Sequence, residues 1–147
     1  MGCPHAPKAA IEMDQPDHRC VLVVDDDSGI RLLLVTFLRC HGFRLLQACN
    51  GREALEKMRS GNADLVVMDL MMPEVSGWDV LAERNGDPSL RQIPVIIATA
   101  GNRSEVIASA GGKRVWAVLG KPFDLDTLLG AVTTGLESLG VPAPLAA

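Results

Sequence analysis

Four short, unbroken apolar runs punctuate the chain: Val21-Leu22-Val23-Val24, Leu65-Val66-Val67-Met68, Val95-Ile96-Ile97-Ala98 and Val115-Trp116-Ala117-Val118-Leu119. Runs of this length without alternation fit strands of a parallel sheet covered on both faces. A fifth segment, Phe43 to Ala48, is broken by Arg44 and Gln47, which suits an edge strand. Between these runs the apolar period changes to three and four. Ile30, Leu33, Leu34, Phe37 and Leu38 make one helical stripe, and Leu125, Leu128, Leu129, Val132 and Leu136 make another. Shorter stripes are Ala54, Leu55 and Met58; Val80 and Leu81 behind Gly77; and Val106, Ile107 and Ala110, the last ended by Gly111 and Gly112. Five strands alternating with five helices, joined by right-handed crossovers, predict an α/β fold: an open parallel sheet with helices on both faces.

Composition narrows the class. A chain of 147 residues has room for one domain. Residues 1–18 carry Pro4, Pro7 and Pro16 without an apolar period and are expected to be a flexible extension; 19–140 form the domain, and 141–147 are a Pro- and Ala-rich tail. Hydrophobic residues at 48% against 22% charged are those of a folding chain, while 3% aromatics with no Tyr call for an aliphatic core and no base-stacking platform. A net charge of -4 argues against nucleic acid as a partner. No apolar stretch reaches the roughly 20 residues of a membrane span. Cys3, Cys20, Cys40 and Cys49 form no CxxC pair and are expected to be reduced thiols of a cytoplasmic protein. Cys3, His5, His18 and Cys20 are four soft ligands close in sequence, but their spacing is not that of a zinc finger, and a loose tail is the simpler reading.

In a doubly wound sheet every parallel strand delivers its C-terminal end to one rim, where ligands bind. The first strand ends in Asp25-Asp26-Asp27, the third in Asp69, the fourth in Thr99, and the fifth runs into Lys121-Pro122. Carboxylates gathered at one rim repel each other and require a cation, and oxygen donors without His or Cys select a hard ion such as Mg²⁺. A lysine and a hydroxyl beside that ion supply donors for a tetrahedral anion, which describes phosphoryl chemistry. Taken singly, each residue has a duller role. Asp27 suits a helix N-cap, Asp69 a strand end, and Lys121 a solvated charge. Their joint placement is what points to a site.

Val23-Val24-Asp25-Asp26, Asp69-Leu70-Met71-Met72-Pro73 with Gly77, Thr99-Ala100 and Lys121-Pro122-Phe123 together resemble the receiver domain of bacterial two-component response regulators. The likeness covers about Cys20 to Gly140 and is closest in form to single-domain, chemotaxis-type receivers. It implies a flavodoxin-like sheet of strand order 2-1-3-4-5. It also implies that Asp69 is the phosphoacceptor, taking a phosphoryl group from a histidine kinase or a histidine phosphotransfer protein. By the same resemblance, Asp25, Asp26, Asp69 and the backbone carbonyl of Met71 would hold Mg²⁺, with Asp25 acting largely through metal-bound water. Thr99, the Ala100 amide and Lys121 would bind the phosphoryl oxygens, and the Lys121–Pro122 peptide would be cis. Such a protein is not an enzyme in the ordinary sense, since it catalyses only its own phosphotransfer and dephosphorylation. Its output would be an unidentified protein or a homodimer, with no nucleic acid or membrane bound by this chain.

The sequence departs from that family at several points. Val118 stands where a Tyr or Phe normally rotates inward, and Trp116, two residues earlier, is expected on the same strand face, either as part of the switch surface or, the simpler role, as edge-strand packing. Gly111-Gly112-Lys113-Arg114 replaces the usual Gly-Ala turn. Met71 and Gly101 flank the expected path of hydrolytic water without a side chain to position it, so self-dephosphorylation should be slow. The alternatives are a receiver cut from a larger regulator or hybrid kinase, a phosphorelay carrier, and an aspartate-nucleophile phosphatase. The last would want a second Asp two residues after the nucleophile, where Met71 stands.

Overall fold

A computed structural model describes residues 19–110 and 115–138. Its elements alternate as β1 (Cys20–Val24), α1 (Ser28–Cys40), β2 (Arg44–Ala48), α2 (Gly51–Arg59), β3 (Leu65–Asp69), α3 (Gly77–Asn85), β4 (Val95–Thr99), α4 (Arg103–Ala110), β5 (Ala117–Gly120) and α5 (Leu125–Glu137). All five strands pair in parallel in the order β2-β1-β3-β4-β5, the flavodoxin-like arrangement expected. The expected extension before residue 19 with its Cys3, His5 and His18, the Gly111–Arg114 turn and the C-terminal tail lie outside the described residues.

The unbroken apolar runs are explained by two separate cores, one on each face of the sheet. Leu22, Val24, Val66, Met68, Val95 and Ile97 face Ala54, Leu55 and Met58 of α2, Val80 and Leu81 of α3, and Val106 of α4. Their neighbours Val21, Val23, Leu65, Val67 and Ile96 face Leu34, Val35 and Leu38 of α1 and Leu128, Val132 and Leu136 of α5. Every position in β1, β3 and β4 is buried, whereas the edge strand β2 exposes Arg44 and Gln47. Among the described residues no helix is long and apolar enough to cross a membrane.

Two expectations need correction. Trp116 and Val118 lie on opposite faces: Val118 joins Val106 and Val115 in the first core, while Trp116 packs with Ala117, Leu119 and α5 in the second. The cause is a bend at Trp116, so that regular pairing starts only at Ala117 opposite Ile96 and the alternation of side chains does not extend back to residue 116. The indole there donates to Thr134 Oγ1 at 3.3 Å. The cysteines are also not all reduced. Cys20 and Cys49 are free, but Cys40, on the exposed end of α1 where a thiol is accessible, is disulfide-bonded.

Candidate functional site

The parallel register brings the strand ends together. Val24 lies beside Met68, Asp69 beside Ala98, and Thr99 beside Gly120, so the residues at or just beyond these positions share one rim. After β1 the chain leaves the sheet in Asp25-Asp26-Asp27. Asp27 caps α1, its Oδ1 accepting from the amides of Gly29 at 2.9 Å and Ile30 at 3.1 Å, as its position suggested. That leaves Asp25 and Asp26 for the rim.

Asp25, Asp26 and Asp69 each present a carboxylate oxygen within 4.8 Å of the others. Asp25 and Asp69 are buried and Asp26 is exposed. Lys121 reaches in from beyond β5, its Nζ 3.2 Å from Asp25 Oδ2 and 3.5 Å from Asp69 Oδ2. The remaining oxygen of each buried carboxylate accepts from the backbone two residues on: Asp25 Oδ1 from Asp27 N at 2.9 Å, and Asp69 Oδ1 from Met71 N at 3.1 Å. Among the described residues the Asp26 carboxylate has no hydrogen bond or ion pair. Burial pushes the Asp69 carboxyl above the usual carboxylate range; the Met71 amide and Lys121 pull the other way, and the nearby Asp25 charge adds to the rise.

One ammonium among three carboxylates leaves the pocket net negative. Its donor set is oxygen only, and one carboxylate is free and facing solvent, so these residues fit a hard divalent cation with open water positions.

Thr99 closes the opposite side. It is 1% exposed, its Oγ1 accepts from Gly101 N at 3.0 Å, and its carbonyl accepts from Lys121 N at 2.7 Å. The Lys121–Pro122 peptide is cis, as expected. Ala100 is exposed immediately after Thr99, and Met71, two residues after Asp69, is 69% exposed. Gly77 lets the start of α3 approach the Asp69 loop: its amide donates to Leu70 O at 3.1 Å, and a Cβ there would lie 2.7 Å from Asp69 O.

Two arginines stand outside every motif in the sequence, one beside the rim and one at the opposite end of the sheet. Arg31, in the first turn of α1, donates to the Asp25 carbonyl at 2.6 Å and to Gln47 Oε1 at 3.1 Å. A lone Arg inside the apolar run Ile30 to Val35 was the available signal. Arg84, 2% exposed, ties the segment leading to β4 by donating to the carbonyls of Ile93 at 3.0 Å and Arg91 at 3.2 Å. Nothing local in the sequence marks its burial.

The chain is similar to known proteins in sequence and in fold. The chain is 37% identical over 109 residues to the chemotaxis protein CheY-3 of Vibrio cholerae, covering 74% of this chain and 84% of that one. It is 34% identical over 113 residues to the sporulation initiation phosphotransferase F of Bacillus subtilis, covering 76% and 89%. It is also 36% identical to the CAI-1 autoinducer sensor kinase/phosphatase CqsS of Vibrio cholerae, of whose length it spans only 17%. Among solved structures, the response regulator TrrA of Thermotoga maritima, in complex with Mg²⁺-BeF, superposes with a TM-score of 0.71 at 35% identity, over 80% of this chain and 99% of that one. The response regulator receiver domain model matches residues 21–133, the span that holds the acidic rim and both cores except the last turn of α5, and the chain belongs to that family.

Proposed function

We propose that this chain is a Mg²⁺-dependent phosphoacceptor of a two-component system, accepting a phosphoryl group on Asp69. The observation that carries the reading is the sharing of Lys121 between Asp25 and Asp69 beside the unpartnered carboxylate of Asp26. Asp25, Asp26, Asp69 and the Met71 carbonyl would hold the cation, which when bound neutralises charge on the transferring phosphoryl group.

Asp69 attacks the phosphorus of a phosphohistidine presented by a histidine kinase or a histidine phosphotransfer protein. The new P–O bond forms as the P–N bond breaks, and the leaving imidazole keeps the electron pair and takes a proton from solvent. Lys121 turns from the carboxylates to a phosphoryl oxygen. The Thr99 hydroxyl donates to a second oxygen; because its Oγ1 already accepts from Gly101 N, its hydrogen is the part left to give. The exposed Ala100 amide supplies a further donor. The product, an acyl phosphate carrying about -1.5 to -2 of charge in a pocket built around one lysine, biases the surface about α4 and β5 toward an output protein or a second copy.

On this reading the protein acts in the cytoplasm and turns over no substrate beyond its own phosphoryl group. A second form of the same reading, a receiver module of a larger sensor kinase, is supported by the match to a short part of CqsS. Intact mass after incubation with acetyl phosphate and Mg²⁺ tests the proposal. One added phosphoryl group, absent in Asp69→Ala and absent after prior chelation, is expected; an unmodified, folded wild type would overturn it.

A further inference from the structure

The acidic rim has one ligand-bearing peptide that nothing in the sheet itself fixes. The Asp25 amide is held by the end of β2, donating to Ala48 O at 3.1 Å, and the Asp25 carboxylate by Lys121 and the Asp27 amide. Its carbonyl belongs to the peptide plane linking Asp25 to Asp26. That plane sets the direction in which the Asp26 side chain leaves the backbone, and among the described residues the Asp26 carboxylate has no hydrogen bond or ion pair of its own that would orient it.

Arg31 supplies the missing constraint. Its Nη1 donates to the Asp25 carbonyl at 2.6 Å, and its Nε, on the same rigid guanidinium, donates to Gln47 Oε1 at 3.1 Å. Gln47 is held at its backbone, where it pairs with Val23 in the parallel ladder and its carbonyl accepts from the Lys57 ammonium of α2; its exposed side chain carries the bond to Arg31. A planar fork with one arm on a strand and the other on the Asp25–Asp26 peptide holds that peptide at a fixed angle. A lysine in the same place would be a point charge without the second arm.

We propose that Arg31 is a positioning residue of the metal pocket, setting the affinity for Mg²⁺ by locking the Asp25–Asp26 peptide against Gln47. This rests on the phosphoacceptor reading of the rim. Geometry and charge give opposite signs here. As a mere cation beside an acidic pocket, Arg31 repels a divalent ion, so its removal would tighten binding. As a brace on the ligand peptide, its removal loosens binding, and groups that orient metal ligands typically change affinity about 10-fold or more.

The test is titration of the folded protein with MgCl₂ by isothermal calorimetry, on wild type, Arg31→Ala and Gln47→Ala, with melting curves recorded in parallel. The expected result is Mg²⁺ binding weakened roughly 10-fold in Arg31→Ala and by a smaller factor in Gln47→Ala, which keeps the charge and loses one arm. Equal or tighter binding by Arg31→Ala overturns the assignment. Should that variant fail to fold, Gln47→Ala decides, and wild-type affinity in it overturns the assignment equally. A wild type that binds no Mg²⁺ removes the phosphoacceptor reading itself, an outcome distinct from a binding wild type with unaltered variants.

Discussion

Burial holds the Asp69 carboxyl pKa above its ordinary range, so the ionised form of this side chain opposes folding. A group whose folded pKa is raised contributes stability that is complete below the unfolded pKa and lost as pH rises through the folded one. Without divalent cation, Asp69→Asn is therefore expected to melt higher than wild type at pH 7, with the difference vanishing below roughly pH 4. Melting temperature against pH for the two proteins checks this, and a wild type that is the more stable at neutral pH would contradict it. Met71 gives a kinetic prediction. Its exposed thioether places no water beside Asp69, so Met71→Asn is expected to shorten the lifetime of the phosphorylated state several-fold, read from decay of the intact mass. At this scale the sequence was informative where residue type and strand end coincide, as at Asp69, Thr99 and Lys121. For Arg31 it offered only a charge interrupting an apolar run, because the residue's contacts depend on a peptide plane and on a glutamine 16 positions away.

Elements position the rim through close backbone approaches. Gly77 opens α3 against the Asp69 loop, and a methyl there would meet Asp69 O at 2.7 Å and Leu70 Cα at 2.8 Å, both backbone atoms that do not yield cheaply. Gly77→Ala is expected to lose about 1–3 kcal/mol of stability by urea unfolding and to accept phosphoryl groups more slowly, because the shift falls on the peptide carrying the phosphoacceptor. The apolar runs made β1, β3 and β4 legible because both faces of those strands are buried. They misplaced β5, whose run includes Val115 and Trp116. Those two residues pack into the two cores ahead of the regular strand, Val115 in the cluster with Val106 and Trp116 in the cluster with α5. The Trp116 amide still bonds to β4, donating to Val95 O at 2.8 Å, but the chain bends at Trp116, and that bend has no signature in the run itself. The Cys40 disulfide was missed for a similar reason: spacing along a chain does not report which thiols reach the surface.

For the whole molecule, the strict alternation of strand and helix made the parallel order readable, because right-handed crossovers leave few topologies open. The same order explains why residues as distant in sequence as Asp25 and Lys121 share a pocket. That pocket carries three carboxylates against one ammonium, so a bound divalent cation should stabilise the entire fold. At 100 times its dissociation constant, Mg²⁺ is expected to add about 2.7 kcal/mol to the unfolding free energy, and Asp26→Ala is expected to remove most of that gain while leaving the metal-free stability near that of wild type. Denaturant curves with and without MgCl₂ measure both.

The identity of the phosphorylated side chain is tested most directly by borohydride trapping. The protein is incubated with acetyl phosphate and Mg²⁺ and reduced, which converts an aspartyl phosphate to the homoserine alcohol, and is then mapped by peptide mass spectrometry. Conversion of the Asp69 side chain, with Asp25, Asp26 and Asp27 unchanged, is the expected result. Conversion at one of those three instead, or no conversion in a folded protein that binds Mg²⁺, would contradict it.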